Sequence, residues 1–157
     1  MNEWHEAARE FVALDLRYTR QVAVALVPMA LTVLFHGFGI NVVHAFFRRF
    51  GLAAVHGRQR SLRSLVVICC VALLLITHFV GVVVWAGFYV VSGLIDNLGP
   101  AMVFSMNAYT TMGASGIHLP RTWFGFGNFE SMTAMLMFGW STAVLANIVQ
   151  RFHTIDE

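Results

Sequence analysis

Residues 64–95 read SLVVICCVALLLITHFVGVVVWAGFYVVSGLI, and these 32 residues include no Asp, Glu, Lys or Arg. A helix needs roughly 20 apolar residues to cross the hydrocarbon core of a bilayer. The stretch is longer than that, and it is more apolar than the surface of a soluble domain allows. Residues 64–95 therefore predict a membrane-spanning helix.

Two further stretches share this character, because residues 21–47 and 131–150 contain no charged residue over 27 and 20 positions. The whole chain of 157 residues is 58% hydrophobic and 11% charged, whereas soluble domains carry about 25% charged residues. One core of this size cannot bury three such segments. We therefore expect an all-α membrane protein with three transmembrane helices, divided into residues 1–20, 21–63 and 64–157.

The arginines indicate an orientation. The chain has no Lys, and five of its ten Arg lie near the connection between the first two spans: Arg48, Arg49, Arg58, Arg60 and Arg63. A basic patch can bind nucleic acid, but between two spans it typically marks the cytoplasmic side, because Arg-rich short loops resist translocation. We expect no nucleic-acid partner, a cytoplasmic carboxyl terminus, and an amino terminus and a 96–130 connection on the outer side.

Residues 1–20 predict an amphipathic helix. Trp4, Phe11, Leu14 and Tyr18 fall near one face, while charged residues repeat every seven positions on another. Such a helix can lie in the headgroup region of a membrane, or it can simply lead into the first span. The acidic residues of this segment do not fit a signal peptide, which needs a basic start and an apolar run.

The connection after the second span contains an unusual segment, residues 97–120, which has no charge. Asn97 can cap a helix and Pro100 suits a first helical turn. We expect a helix from residue 100 to Tyr109, too short to cross a membrane, followed by glycines that allow irregular backbone. This order is typical of a re-entrant loop, and the alternative is an outer loop with a surface helix.

A re-entrant loop predicts a pore when several copies assemble. Irregular backbone at membrane depth is tolerated where it is buried in protein or lines water, and copies around an axis would enclose such a space. Each short helix would direct the partial negative charge of its carboxyl end at the axis. Loop carbonyls would then replace an ion's hydration shell.

Two runs of sequence carry a resemblance to a known family. Residues 104–113, FSMNAYTTMG, resemble the pore helix and the start of the filter of tetrameric potassium channels, and residues 136–143, LMFGWSTA, are similar to their inner helix. The chain looks most like small bacterial ion-channel proteins with one extra helix before the helix–pore–helix unit, over about residues 30–152. The resemblance implies a homotetramer in the bacterial inner membrane, with monovalent cations as permeant ions and no cofactor.

The filter that the resemblance implies departs from the family's pattern. Its residues would be Thr110, Thr111, Met112, Gly113, Ala114, Ser115 and Gly116. The family's pattern is Thr-Val-Gly-Tyr-Gly-Asp. This chain has Ala114 in place of the family's tyrosine, Ser115 in place of its second glycine and Gly116 in place of its aspartate. A non-glycine residue held at left-handed angles costs roughly 1–2 kcal/mol. We therefore expect poor discrimination between potassium and sodium.

The third span is implied to line the pore and to bend at Gly139. The positions expected to face the axis are Met135, Thr142 and Ala146. Val149 or Phe152 would close the pore at its cytoplasmic end by dewetting. The alternative role for Gly139 is close helix packing, as for other small residues in membranes.

Two other functions stay open from the residues alone. The first is a non-conducting accessory or scaffold subunit that keeps the channel fold beside other membrane subunits. The second is a haem or metal site, because His36 and His78 lie near the middle of their spans and facing histidines can ligate iron; the alternative is a hydrogen bond between helices. No nucleophile–base pair, phosphate loop or zinc spacing is present, so we expect no enzyme.

Overall fold

The structure is a computed structural model, and it describes residues 2–51, 54, 60–113 and 116–153. All regular elements in these ranges are helical. They are α1 (Asn2–Phe46), a π-helical turn (Phe47–Gly51), α2 (Arg60–Val91), α3 (Leu98–Tyr109), a 3₁₀ turn (Arg121–Trp123) and α4 (Gly127–His153).

Three helical segments are long and apolar enough to cross a membrane: Tyr18–Gly51, Ser61–Val91 and Arg121–Phe152. The predicted all-helical architecture with three spans is therefore confirmed. The segment predicted as an amphipathic helix, residues 1–20, is helical from Asn2 and continues into the first span without a break. Pro28 lies inside α1, where the Thr32 hydroxyl donates to the Pro28 carbonyl at 2.8 Å.

Two helix ends differ from the predicted span limits. α2 ends at Val91, four residues before the predicted limit, because Gly93 adopts φ +67°. The amides of Gly93 and Leu94 then donate to the carbonyls of Val90 and Tyr89, at 3.0 and 2.9 Å, which closes the helix in a Schellman motif.

α4 begins at Gly127, four residues before the predicted start. The charge of Glu130 suggested that the span begins after it, yet this side chain is fully buried inside the bundle. Its hydrogen-bond partners come from α2 and α3, and are described below.

The three long helices pack into a bundle with two apolar clusters. The cluster at the Arg-rich end contains Ile40, Val43, Phe47, Ala54, Val66, Cys70, Leu74, Val144, Ile148 and Phe152. The cluster at the opposite end contains Ala25, Trp85, Ala86, Tyr89, Ile95, Ala101 and Phe126. Between them α1 and α2 approach closely at Gly39, where a Cβ would fall on the side chain of Thr77.

α3 lies against α2 and runs antiparallel to it. Its first turns pack beside Tyr89, in the cluster that contains Ala101. One turn further on, the Ser105 hydroxyl donates to the Val82 carbonyl at 2.9 Å. The last residue, Tyr109, reaches Nδ1 of His78, near the middle of α2, at 3.2 Å. With 12 residues, α3 is about 18 Å long.

Candidate functional site

The end of α3 is closed by a specific turn. The amides of Thr111 and Met112 donate to the carbonyls of Ala108 and Asn107, at 3.1 and 2.9 Å, which is the Schellman pattern. The left-handed position of this motif, usually glycine, is occupied by Thr111 with φ +59°. A β-branched residue at such angles is an outlier that stores roughly 1–3 kcal/mol, and such residues cluster at functional sites.

The residues predicted to form a filter follow this turn. Thr110, Thr111, Met112 and Gly113 are exposed in the single chain, and Met112 is 79% exposed. Gly113 and Gly116 adopt φ +83° and +74°, angles that suit glycine. The predicted filter positions Ala114 and Ser115 lie outside the described residues.

A cavity of about 550 Å³ lies beside this loop. Phe104 and Ala108 of α3 line one side, and Gly127 and Ser131 at the start of α4 line another. The Ser131 hydroxyl donates to the Ala108 carbonyl at 2.6 Å. This bond ties the start of α4 to the last turn of α3, so the position of the loop is coupled to α4.

A buried polar chain joins all four helices behind the loop. Oγ of Ser141 on α4 lies 3.1 Å from Nε2 of His36 and 3.0 Å from Nε2 of His78. Nδ1 of His78 in turn lies 3.2 Å from the hydroxyl of Tyr109, at the end of α3. Two proton arrangements satisfy all three contacts: Tyr109 donates to His78, His78 to Ser141 and Ser141 to His36, or every bond runs in the opposite direction.

His36 and His78 are also the candidate ligands of a haem or metal site. The structure brings His36 and His78 together, with ring centroids 4.9 Å apart. Their Nε2 atoms, the usual iron ligands, both face the Ser141 hydroxyl, and Phe138 stacks on His78 at 4.4 Å. The described residues hold no group of three or more His, Cys, Asp or Glu that could bind a metal ion. This geometry favours the hydrogen-bonded alternative.

A second polar cluster surrounds Glu130 in the first turn of α4. Oε2 accepts a hydrogen bond from the Tyr89 hydroxyl at 2.8 Å, and Oε1 lies 2.5 Å from the Ser105 hydroxyl. Glu130, Tyr89 and Ser105 all have 0% exposure. One carboxyl group therefore holds α2, α3 and α4 at a single point.

This cluster was not predicted from the sequence, in which Glu130 falls at the end of the 96–130 connection. A signal was nevertheless present. Glu130 is the single acid between residue 97 and residue 155, and an ionisable residue inside a spanning segment is expensive enough to imply a role. The identity of its partners could not be read locally, since they lie 41 and 25 positions away.

The residues of the third span that were predicted to line, bend or close a pore lie in different environments. Met135, Thr142 and Ala146 are exposed in the single chain, as an axis-facing surface requires. A Cβ at Gly139 would meet no atom within 4 Å, so this glycine makes no close helix contact inside the chain. Phe152, one of two candidates for closing a pore, packs instead against Phe47 with ring centroids 5.4 Å apart. It is buried within its own chain.

These observations define the class: an all-helical protein with three helices long and apolar enough to cross a membrane, embedded there by their apolar surfaces. No family model matches the chain, and neither a characterised protein nor a solved structure matches it.

Proposed function

We propose that the protein is a pore-forming subunit of a tetrameric cation channel, with α3 as a re-entrant pore helix. The observation that carries the proposal is the position of residues 110–113. They follow a short apolar helix whose end lies beside His78, near the middle of α2, and they are exposed in the single chain.

The position of residues 110–113 favours an assembly of several copies of the chain. Irregular backbone at the depth of a hydrocarbon core must be buried in protein or line water. In a single bundle, residues 110–113 are neither buried in protein nor part of a water-filled space. Four bundles around an axis would enclose them. The carboxyl ends of four short helices, each with a partial negative charge, would then favour a cation at that axis.

The polar clusters support the same assignment by explaining how α3 is held. A pore helix must be held in position, because filters coordinate ions through a set of carbonyl dipoles. Tyr109 is attached through His78 and Ser141 to three other helices. Ser105 is attached to Glu130. We propose that both clusters position the pore helix.

Selectivity in this channel would be weak. The positions Ala114, Ser115 and Gly116 lack the ring and the acid of the potassium-channel pattern, and Thr111 adds a left-handed turn at the start of the loop. The proposed orientation places the Arg-rich end in the cytoplasm, and the membrane would be a bacterial inner membrane.

The experiment combines copy number with ion flux. The purified protein is reconstituted into liposomes, cation flux is followed with a fluorescent indicator, and the mass of the particle is measured in detergent. We expect four copies per particle and cation flux. Thr110→Arg should abolish flux, because it adds a positive charge beside the proposed pathway. Leu98→Arg, at the other end of α3 where the side chain is 57% exposed, is the matched control and should conduct.

One observation favours a second function, a non-conducting accessory subunit. Thr111 holds a left-handed Schellman turn at the start of the loop, and Ala114, Ser115 and Gly116 replace the ring, the glycine and the acid of the potassium-channel pattern. A single copy per particle without flux would reject the channel and support the accessory subunit. Four copies without flux would reject conduction alone.

A further inference from the structure

The Arg-rich end of the bundle contains a cavity of about 520 Å³ that the channel proposal does not use. It lies between the last turns of α1, the π-helical turn and the last turns of α4. Its polar lining consists of Asn41, His44, Arg48, Asn147 and Arg151. Its floor is formed by Phe47 and Ile148, which belong to the apolar cluster at this end.

The lining is rich in donors. Arg48 and Arg151 contribute two guanidinium groups, which stay charged at any physiological pH. Oδ1 of Asn147 accepts a hydrogen bond from Nε of Arg151 at 3.0 Å, so one amide acceptor is already used to hold an arginine. The remaining nitrogens form a set typical of phosphate recognition, in which arginine donates in pairs to oxygen atoms.

An anion in this cavity would be attracted by two arginines. Arg48 and Arg151 both line this cavity, and both side chains carry a positive charge. Among the side chains that the structure describes, the acids are Asp96 and Glu130, and both belong to the opposite end of the bundle. The carboxyl ends of α1 and α4 carry partial negative charge, which accounts for cations near each helix separately.

We propose that this cavity binds a phosphate group, carried by the headgroup of an anionic phospholipid. The cavity lies near the carboxyl ends of two candidate spans, where lipid headgroups are expected, and exposed apolar side chains such as Val42 continue from it along α1. Basic pockets between spanning helices are suited to anionic headgroups. The inference does not depend on whether the protein conducts ions.

The test uses native mass spectrometry of the full chain in detergent, titrated with phosphatidylglycerol and with phosphatidylcholine. The wild type should bind phosphatidylglycerol more tightly. Arg48→Gln and Arg151→Gln should each weaken that binding about tenfold, the equivalent of about 1.4 kcal/mol, because each removes a hydrogen bond from a charged group to the phosphate. Arg49→Gln is the matched control: it removes the same charge from the adjacent position, where the guanidinium lies over the Phe50 ring at 5.7 Å, so binding should stay unchanged.

A further arm identifies the source of the phosphate. If inorganic phosphate alone raises the melting temperature of the wild type but not of Arg48→Gln, the cavity takes phosphate from solution and the headgroup assignment is wrong. If only phosphatidylglycerol does so, the proposal holds. Equal weakening by Arg48→Gln and Arg49→Gln would overturn it, as would no weakening by either.

Asn147→Asp covers the case in which an arginine variant fails to fold. The new carboxylate has the shape of the amide and still accepts from Arg151, but it places a negative charge in the cavity. Phosphatidylglycerol binding should fall at least as far as in Arg48→Gln. Unchanged binding in Asn147→Asp would refute the site.

Discussion

The hydroxyl of Tyr89 donates to Oε2 of Glu130 across 2.8 Å, and both residues are completely buried. The bond joins α2 to α4 at the point where Ser105 of α3 also contacts the carboxyl group. Ser105 has one proton and two oxygen neighbours, the Val82 carbonyl and Glu130. A group at position 130 that both donates and accepts would therefore complete this cluster.

The first prediction follows from that proton count. Glu130→Gln should keep the fold, because its amide can donate to Ser105 and accept from Tyr89. Glu130→Ala should lower the free energy of unfolding by about 2–4 kcal/mol, since it leaves the buried Tyr89 hydroxyl unpaired, removes one of the two partners of Ser105 and opens a cavity. Unfolding in a denaturing detergent measures both variants. The assignment fails if Gln and Ala are equally destabilising.

The left-handed turn at Thr111 allows a second prediction. Thr111→Gly should raise the free energy of unfolding by about 1 kcal/mol, because glycine adopts φ +59° without steric cost. Thr110→Gly is the matched control. Thr110 has φ −86° and its hydroxyl donates to the Met106 carbonyl at 2.7 Å, so glycine there should destabilise by about 0.5–1 kcal/mol. Stabilisation by both changes would contradict the strain argument.

Ser141 is the link of the polar chain, and a third prediction tests it. Ser141→Ala removes the contacts with both His36 and His78, at a cost of about 1–2 kcal/mol for two hydrogen bonds between helices in a membrane. Thr142→Ala is the control, because that hydroxyl bonds only to the Phe138 carbonyl of its own helix. Equal unfolding free energies for the two variants would exclude an interhelical role for Ser141.

A fourth prediction compares alanine substitutions at Gly139 and Gly39, to distinguish a hinge role from a helix-packing role. Gly139→Ala should not lower the stability of the chain, because the added Cβ meets open space and alanine favours the helix over glycine, and under the hinge proposal it should alter open probability. Gly39→Ala should destabilise by about 1–3 kcal/mol, since its Cβ overlaps Thr77. Loss of the oligomer in Gly139→Ala, seen as a lower particle mass, would instead assign that glycine to contacts between copies.

The fifth prediction concerns topology. With Cys69 and Cys70 replaced by Ala, a single cysteine at position 58 should react only from the cytoplasm, and one at position 122 only from outside, because Arg-rich loops resist translocation. Cells are treated with an impermeant thiol reagent before and after lysis. External labelling at position 58 without labelling at position 122 would reverse the proposed orientation.

Part of the candidate site could be read from the sequence because it depends on local features. Asn97 and the apolar run after it predicted a helix ending at Tyr109, and α3 runs from Leu98 to Tyr109. Gly93 is an equally local signal for the end of α2. The predicted limit at residue 95 rested only on the absence of charge, which gives no information about a glycine that can close a helix.

By itself, the sequence determined that three helices are long enough to cross a membrane and that a short one lies between the last two, because both depend on apolar length and turn residues. Only tertiary structure decided that Glu130 belongs inside the bundle and that His36 and His78 meet at Ser141. A buried polar side chain is acceptable when partners satisfy its hydrogen bonds, and those partners lie up to 105 positions away along the chain. Helix packing, rather than any local pattern, brings them together.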